Sequence, residues 1–97
     1  MNYADVLTAD QRLVILGLLA EQIAYKANSS VLTLRMDQLG HAITRDRVRT
    51  LLGWLGEQGL VALDEPVAGI YVATLTERGA DVVAGRAVVP GVARPAP

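Results

Sequence analysis

The sequence contains no cysteine, a single histidine and only four aromatic residues. Without cysteine, the chain cannot form a disulfide-stapled module, an iron–sulfur carrier or a zinc finger. With His41 as its one histidine, it cannot assemble most nucleophile–base pairs, and its carboxylates show no metal-ligand spacing around that histidine. It also has no glycine-rich phosphate loop. We therefore expect no catalytic residues, no metal and no cofactor.

The sequence also lacks long apolar runs. No segment approaches the roughly 20 uninterrupted apolar residues of a membrane span, and the first ten residues hold two aspartates and no basic residue, unlike a secretory signal. A composition of 52% apolar and 20% charged residues excludes disorder for the bulk of the chain, and 97 residues suit one hydrophobic core. These features predict a small, soluble, intracellular domain with no membrane partner.

Positive charge is scarce overall but concentrated in one short segment. The net charge of −1 disfavours a protein that coats nucleic acid non-specifically. Residues 44–50, TRDRVRT, hold three arginines and one aspartate, so the remaining 90 residues carry six basic and nine acidic groups. This asymmetry is the first indication of a function.

The first predicted helix carries a core stripe on one face. It begins after Thr8, which matches a capping box with Gln11, and it extends to about Tyr25. At about 100° per residue, five apolar residues share one face and form the predicted core stripe. They are Leu13, Leu16, Leu19, Ala20 and Ile23.

A second apolar stripe on the same helix requires a second surface to pack on. It consists of Val14, Leu18 and Tyr25. Burial by a later segment of the same chain or by a second copy would both satisfy it. We favour a homodimer interface that this stripe shares with the last predicted helix, where Val82 and Val83 are suitable contacts.

Two further helices are separated by a short connection that contains glycine. The first covers about residues 31–39, with an N-cap within residues 28–30 and Gly40 as its left-handed end. The second covers residues 45–58, is capped by Thr44, and buries Val48, Leu51, Leu52 and Leu55 on one face. This is the helix-turn-helix arrangement.

A β-hairpin follows the helix-turn-helix. Residues 60–63 and 70–75 are β-prone runs, and the loop at residues 64–69 contains the proline and glycine of a hairpin connection. A last helix covers about residues 77–86, capped by Thr76.

The element order is helix, helix, helix, strand, strand, helix. This order predicts a mainly α winged helix-turn-helix fold whose hairpin is the wing, and a short additional strand near residues 25–28 is left open. Residues 1–87 form the predicted winged-helix domain. Residues 88–97 hold three of the four prolines and are predicted to be an extended or disordered tail, with a docking peptide as the alternative.

The amino-terminal end of the third predicted helix is a candidate DNA-binding surface. In helix-turn-helix proteins, this end of the recognition helix enters the major groove, and the arginine fork suits both guanine edges and phosphates. The alternative is a solvated helix face without a ligand. The predicted contacts to double-stranded DNA are Thr44, Arg45, Arg47, Arg49 and Thr50.

Acidic residues near this surface favour a different function. Asp46 complements the helix dipole but repels phosphate. The predicted wing loop holds Asp64 and Glu65 and no basic residue, whereas wings that reach DNA generally use arginine or lysine. A protein–protein adaptor that keeps the winged-helix scaffold is therefore the alternative function.

Trp54 and His41 are predicted to have structural roles. Trp54 lies at the edge of the apolar stripe of the third helix and is predicted to pack against the first helix or the hairpin, with an interface anchor as the alternative. His41 is predicted to be a solvent-exposed residue of the interhelix turn.

Four segments resemble a family of small Mu-like phage and prophage proteins. They are TADQRLVILGLLAE at residues 8–21, TRDRVRTLLGWLGEQGLV at 44–61, ATLTERGADVVAGR at 73–86 and VPGVARP at 89–95. The resemblance implies a phage-encoded, ArsR-like winged helix in the cytoplasm of a bacterial host. Because genes of this family tend to lie near packaging and head genes, it also implies that phage packaging or head proteins are candidate partners.

Overall fold

The computed structural model describes residues 2–96, which form four α-helices and a three-stranded antiparallel sheet. The expected order of elements is confirmed, and the strand that the sequence left open is present before the second helix. The elements are α1 (Tyr3–Ala20), a 3₁₀ turn (Ile23–Tyr25), β1 (Lys26–Asn28), α2 (Ser29–Gln38), α3 (Arg45–Glu57), β2 (Val61–Val67), β3 (Ile70–Leu75) and α4 (Glu77–Val83).

The bounds predicted for the first helix were wrong at both ends. α1 begins at Tyr3 because the Asn2 side chain caps it, with Oδ1 accepting a hydrogen bond of 2.8 Å from the backbone N–H of Asp5. It ends at Ala20, before two successive residues with left-handed backbone, Ala24 at φ 59° and Tyr25 at φ 56°. Ile23 therefore leaves the predicted core stripe and is 95% exposed.

Residues next to the helix ends determine where the two helices of the helix-turn-helix begin and where the first one ends. Asn28 caps α2 through Val31 N–H at 2.8 Å, and Thr44 caps α3 through Arg47 N–H at 3.0 Å. α2 ends in a Schellman motif, in which His41 N–H donates to Met36 C=O and Gly40 adopts φ 92°. The predicted start of α3 at Arg45 is confirmed.

The wing is longer than the sequence predicted. β3 lies at the centre of the sheet and pairs with both β1 and β2, with Lys26 opposite Thr74 and Val61 opposite Leu75. β2 continues through the predicted loop to Val67, with an irregularity between Asp64 and Val67. The connection is therefore a tight turn at residues 68–69.

The core is built mainly from one side of each helix and the base of the sheet. Its members from α1 include Leu18, which is 3% exposed, and its member from α4 is Val82, which is 2% exposed. The second stripe of α1 is therefore covered in part by a later segment of the same chain, the alternative that the sequence had left open. Other core residues are Ile15, Leu16, Leu19, Leu32, Met36, Val48, Leu51, Leu52, Leu55, Leu60, Val61, Ala73 and Leu75.

The proline-rich segment after α4 packs on α1. It has no helix or strand as far as residue 96, but Val89 and Val92 are 3% and 8% exposed and belong to the core. Ala93 N–H donates to the carbonyl of Ala9 at 3.1 Å. The tail turns at residues 89–92, where Val92 N–H donates to the carbonyl of Val89 at 3.1 Å, and it completes the core of the domain.

Candidate nucleic-acid interface

The exposed end of α3 brings together three of the five predicted DNA contacts. Arg45, Thr44 and Thr50 are exposed. The Thr44 hydroxyl caps the helix, and the Thr50 hydroxyl donates to the carbonyl of Asp46 at 3.2 Å. Arg45 has no carboxylate within 4.0 Å in the part of the chain that the structure describes. Its guanidinium is therefore available to an external anion.

Arg49 joins α3 to the wing. Its Nη1 donates to the carbonyl of Gly69 in the wing turn at 3.1 Å, and its Nη2 lies 3.3 Å from Oδ1 of Asp46. The side chain is 30% exposed, so part of it still faces solvent. Sequence patterns could not reveal this bond, because its two ends are 20 residues apart.

Arg47 joins α3 to α1. Its Nη2 donates to Oγ1 of Thr8 at 2.8 Å, and its side chain is half-buried. Thr8 therefore accepts a bond from another helix instead of capping α1. This contact orients the amino-terminal end of α3 relative to the first helix.

Sequence reasoning missed Arg12, which lies beside Arg47. Its guanidinium carbon is 3.7 Å from the centre of the Trp54 ring, and its Nη1 donates to the carbonyl of Gly91 at 2.9 Å. Burial lowers the pKa of Arg12, and the charge of Arg47 lowers it further. The one available signal was the spacing of Thr8 and Arg12, four residues apart on one helix face.

Trp54 packs against the tail and Arg12, so its predicted packing role is confirmed although the tail was not an expected partner. Gly91 lies flat against the indole at φ 95°, where a Cβ atom would come within 2.9 Å of Cζ2 of Trp54. Only glycine fits this close approach without strain.

The surface of the wing is acidic. Asp64 and Glu65 are exposed on β2, and Oε2 of Glu65 accepts a hydrogen bond of 2.7 Å from Gly69 N–H. Both residues line a shallow hollow of about 250 Å³ between the wing and α3, together with Gly53, Leu63 and Tyr71. The carboxylates therefore face the space beside the exposed face of α3.

Two of the five residues predicted for the dimer interface are buried within one chain. Leu18 and Val82 are core residues and cannot reach a second copy, so these two assignments were wrong. Val14 and Val83 are half-buried, and Tyr25 is 57% exposed. Val83 and Tyr25 line an apolar groove.

This groove has a volume of about 280 Å³ and lies between the end of α1 and α4. It is lined mainly by Ala20, Tyr25, Leu75, Ala80, Val83 and Ala84, together with the polar residues Thr76 and Glu77. The side chain of Ile23 projects into solvent two residues before Tyr25. An apolar cleft and an apolar projection therefore lie next to each other on one surface.

His41 is more enclosed than predicted. Its side chain is 15% exposed, and its Nε2 lies 3.6 Å from Oδ2 of Asp10, so it connects the interhelix turn to α1. Within residues 2–96, no group of three or more histidine or acidic side chains is placed to hold a metal ion. None of the helices among these residues is long and apolar enough to cross a membrane.

The helix-turn-helix, the antiparallel hairpin beside it and the closing helix define a winged helix-turn-helix protein. No family model matches the sequence. The chain belongs to the family of the uncharacterised protein gp26 of Escherichia phage Mu, with 50% identity over 93 residues that cover 96% of this chain and 95% of that protein.

Two other proteins extend this comparison. An uncharacterised protein of Haemophilus influenzae is 45% identical over 78 residues, which cover 80% of this chain and 76% of that protein. The solved structure of RosR from H. salinarum superposes with a TM-score of 0.66 at 23% identity, over 76% of this chain and 66% of RosR. This likeness shows the fold alone.

Proposed function

We propose that this chain is a phage DNA-binding protein that acts as a homodimeric transcriptional regulator in the cytoplasm of the bacterial host. The observation that carries the proposal is the exposed guanidinium of Arg45, which has no carboxylate partner among residues 2–96, at the start of the recognition helix of a winged helix-turn-helix. In this class of fold, that end of the helix enters the major groove. The chain acts by binding and carries out no catalysis.

The predicted contacts have different roles in this proposal. Arg45 and Thr50 are exposed and reach base edges or phosphates. The Thr44 side chain caps α3 and so fixes the end of the helix that is proposed to meet DNA. Arg49 uses Nη1 on the wing and Nη2 on Asp46, so it sets the distance between wing and helix and meets DNA only through the part of its side chain that faces solvent. Arg47 faces α1.

A second copy of this chain is the proposed occupant of the groove beside Tyr25. A two-fold interface needs a self-complementary surface, which a cleft and a projection side by side provide. Ile23 of each copy enters the groove of the other and contacts Val83 and Tyr25, while Val14 lies towards the edge. Glu77 lines the groove and Lys26 directly follows Tyr25; both are exposed, and their charges are opposite.

A gel shift on a randomised duplex pool at two salt concentrations tests the DNA-binding proposal. The wild-type chain is expected to shift the pool at low salt, and Arg45→Ala is expected to weaken the shift and reduce the salt slope by about one unit. The matched control is Arg86→Ala, which removes an exposed arginine that follows α4 and pairs with Asp81. Equal loss in both variants, or no shift by the wild type, contradicts the proposal.

The second candidate function is a protein–protein adaptor in phage assembly or DNA packaging. The exposed carboxylates of Asp64 and Glu65 on the wing favour it, because they repel DNA and suit a basic protein surface. Recovery of head or packaging proteins with the tagged chain from infected cells, together with absence of duplex binding at low salt, would support the adaptor over the regulator.

A further inference from the structure

Two guanidinium groups from different helices meet at one turn of α1. Thr8 and Arg12 are four residues apart and share a helix face. Arg47 reaches this turn from α3 and donates to Thr8 Oγ1 at 2.8 Å. Arg12 is fixed in place by the Trp54 ring beneath it and by the carbonyl of Gly91. Separate elements therefore bring two positive charges to the same turn of α1.

Neither guanidinium has an acidic partner in residues 2–96. No carboxylate oxygen of these residues lies within 4.0 Å of Arg12 or Arg47, whereas Arg49 and Arg86 each have an aspartate at 3.3 Å. Nε of Arg12 is buried without a hydrogen-bond partner. Burial lowers the pKa of Arg12, and repulsion from the charge of Arg47 lowers it further. An anion bound between them would remove this repulsion.

A hollow of about 460 Å³ is present at the same turn of α1. Thr8, Ala9 and Arg12 form one wall, and Gly91 and Val92 of the tail form another. Asp5, Val6 and Ala93 complete the lining, so one carboxylate also faces the hollow. The space is open to solvent and is larger than a phosphate group needs.

We propose that Arg12 and Arg47 bind one phosphate group between them at the Thr8 turn of α1, where Thr8 and Arg12 line the hollow and Arg47 reaches Thr8 from α3. The guanidinium fork matches phosphate oxygens with paired N–H donors, and each of these arginines uses only part of its donor set within the chain. A diester or a free phosphate would satisfy the same donors.

The source of the phosphate follows from the proposed function, on which this assignment rests. Arg47 is the third residue of α3 and therefore lies in the first turn of the helix proposed to enter the major groove. Contacts to backbone phosphates fix the register of a recognition helix on the duplex. The group bound by Arg12 and Arg47 is therefore a backbone phosphate that flanks the groove.

Trp54 provides a built-in probe of this site, because it is the only tryptophan and lies against Arg12. In the experiment, its fluorescence is followed while the full chain is titrated with a random duplex or with inorganic phosphate at low salt. The duplex is expected to change the emission saturably, and Arg47→Ala is expected to abolish most of this change. Loss of one phosphate contact also lowers the salt slope by about one unit.

Two variants keep the test informative. Arg47→Lys restores the charge without the fork and is expected to recover only part of the response, while Arg86→Ala is expected to respond as the wild type does. Circular dichroism confirms that each variant is folded. Arg12 also holds the tail through the carbonyl of Gly91, so its substitution would disturb the fold. The test therefore uses variants of Arg47.

The outcomes separate this site from the proposed function. A response to the duplex but not to inorganic phosphate assigns the site to a DNA backbone. A response to inorganic phosphate without duplex binding supports the phosphate site and contradicts the DNA-binding function. Duplex binding with unchanged emission and salt slope in Arg47→Ala overturns the phosphate site and leaves DNA binding intact. Absence of any response to either ligand also overturns it.

Discussion

Arg49 and Gly69 connect the recognition helix to the turn of the wing through a hydrogen bond of 3.1 Å from Nη1 to the carbonyl oxygen. Because Nη2 of the same guanidinium lies 3.3 Å from Asp46, the arginine also neutralises the one carboxylate in the first turn of α3. The wing is therefore anchored to α3. Its position depends on Arg49, which the sequence predicted only as a DNA contact.

Replacing Arg49 by alanine is expected to loosen the wing. The free energy of unfolding should fall by only about 1 kcal/mol, because both bonds are partly exposed. Amide hydrogens near the turn at residues 68–69 should exchange faster, which hydrogen-exchange measurements would detect. Arg45→Ala is the matched control, since it removes a neighbouring arginine without a partner in the described chain. Unchanged exchange at the turn in Arg49→Ala would argue against the anchor.

Neutralising Asp64 is expected to strengthen duplex binding. Removing one charge near a phosphate should raise affinity by about twofold to fivefold at low salt, since such a pair interacts by up to ~1 kcal/mol in water. The gain should shrink at high salt because the charges are screened. Asp64→Asn is compared with Glu21→Gln, an exposed acid at the end of α1, in the same gel shift. Equal binding by the two variants would indicate that the carboxylate of Asp64 does not face the duplex, and weaker binding by Asp64→Asn would contradict the prediction.

The proposed dimer surface predicts a specific cross-link. The natural chain has no cysteine, so the engineered thiols are the only groups that can form a disulfide. When an Ile23→Cys chain is mixed with a size-tagged Ala84→Cys chain, mild oxidation should produce a mixed disulfide, visible on a non-reducing gel. Leu34→Cys, which is 57% exposed on α2, is the control in place of Ile23→Cys. Equal yields from both mixtures would contradict the interface.

Substituting Gly91 by alanine is expected to destabilise the fold. The position has φ 95°, and the added Cβ atom would collide with Trp54, so unfolding should become easier by about 1–3 kcal/mol. By contrast, Gly17→Ala adds a methyl group to α1 with nothing within 4 Å and should stabilise the helix by about 0.5–1 kcal/mol. Urea unfolding followed by Trp54 fluorescence measures both. A neutral Gly91→Ala would show that the tail is held less tightly than the packing indicates.

The elements that sequence reasoning predicted well are those encoded locally. α3 was predicted to within one residue, because Thr44 caps it and its apolar spacing is regular. α1 was misplaced because Asn2 and Thr8 are both good caps, and local pattern alone does not choose between them. The left-handed residues Ala24 and Tyr25 carry no signal, since neither is glycine.

The candidate site was harder to predict because side-chain partners depend on tertiary structure. Sequence located the arginines of α3 but not the contacts of Arg47 with Thr8 or Arg49 with Gly69. Leu18 is buried in the core, where α1 packs against α4, an element distant in sequence, so the stripe on α1 alone could not distinguish internal packing from dimerisation. Arg12 was missed for the same reason.

The position of Val89 and Val92 against α1 has a consequence for biosynthesis. During translation, the first helix leaves the ribosome long before these two valines are made, and until then nothing covers the surface that they seal. A nascent chain at that stage exposes apolar surface to chaperones and proteases. Maturation of this small domain is therefore expected to complete only after residue 92 has left the ribosome.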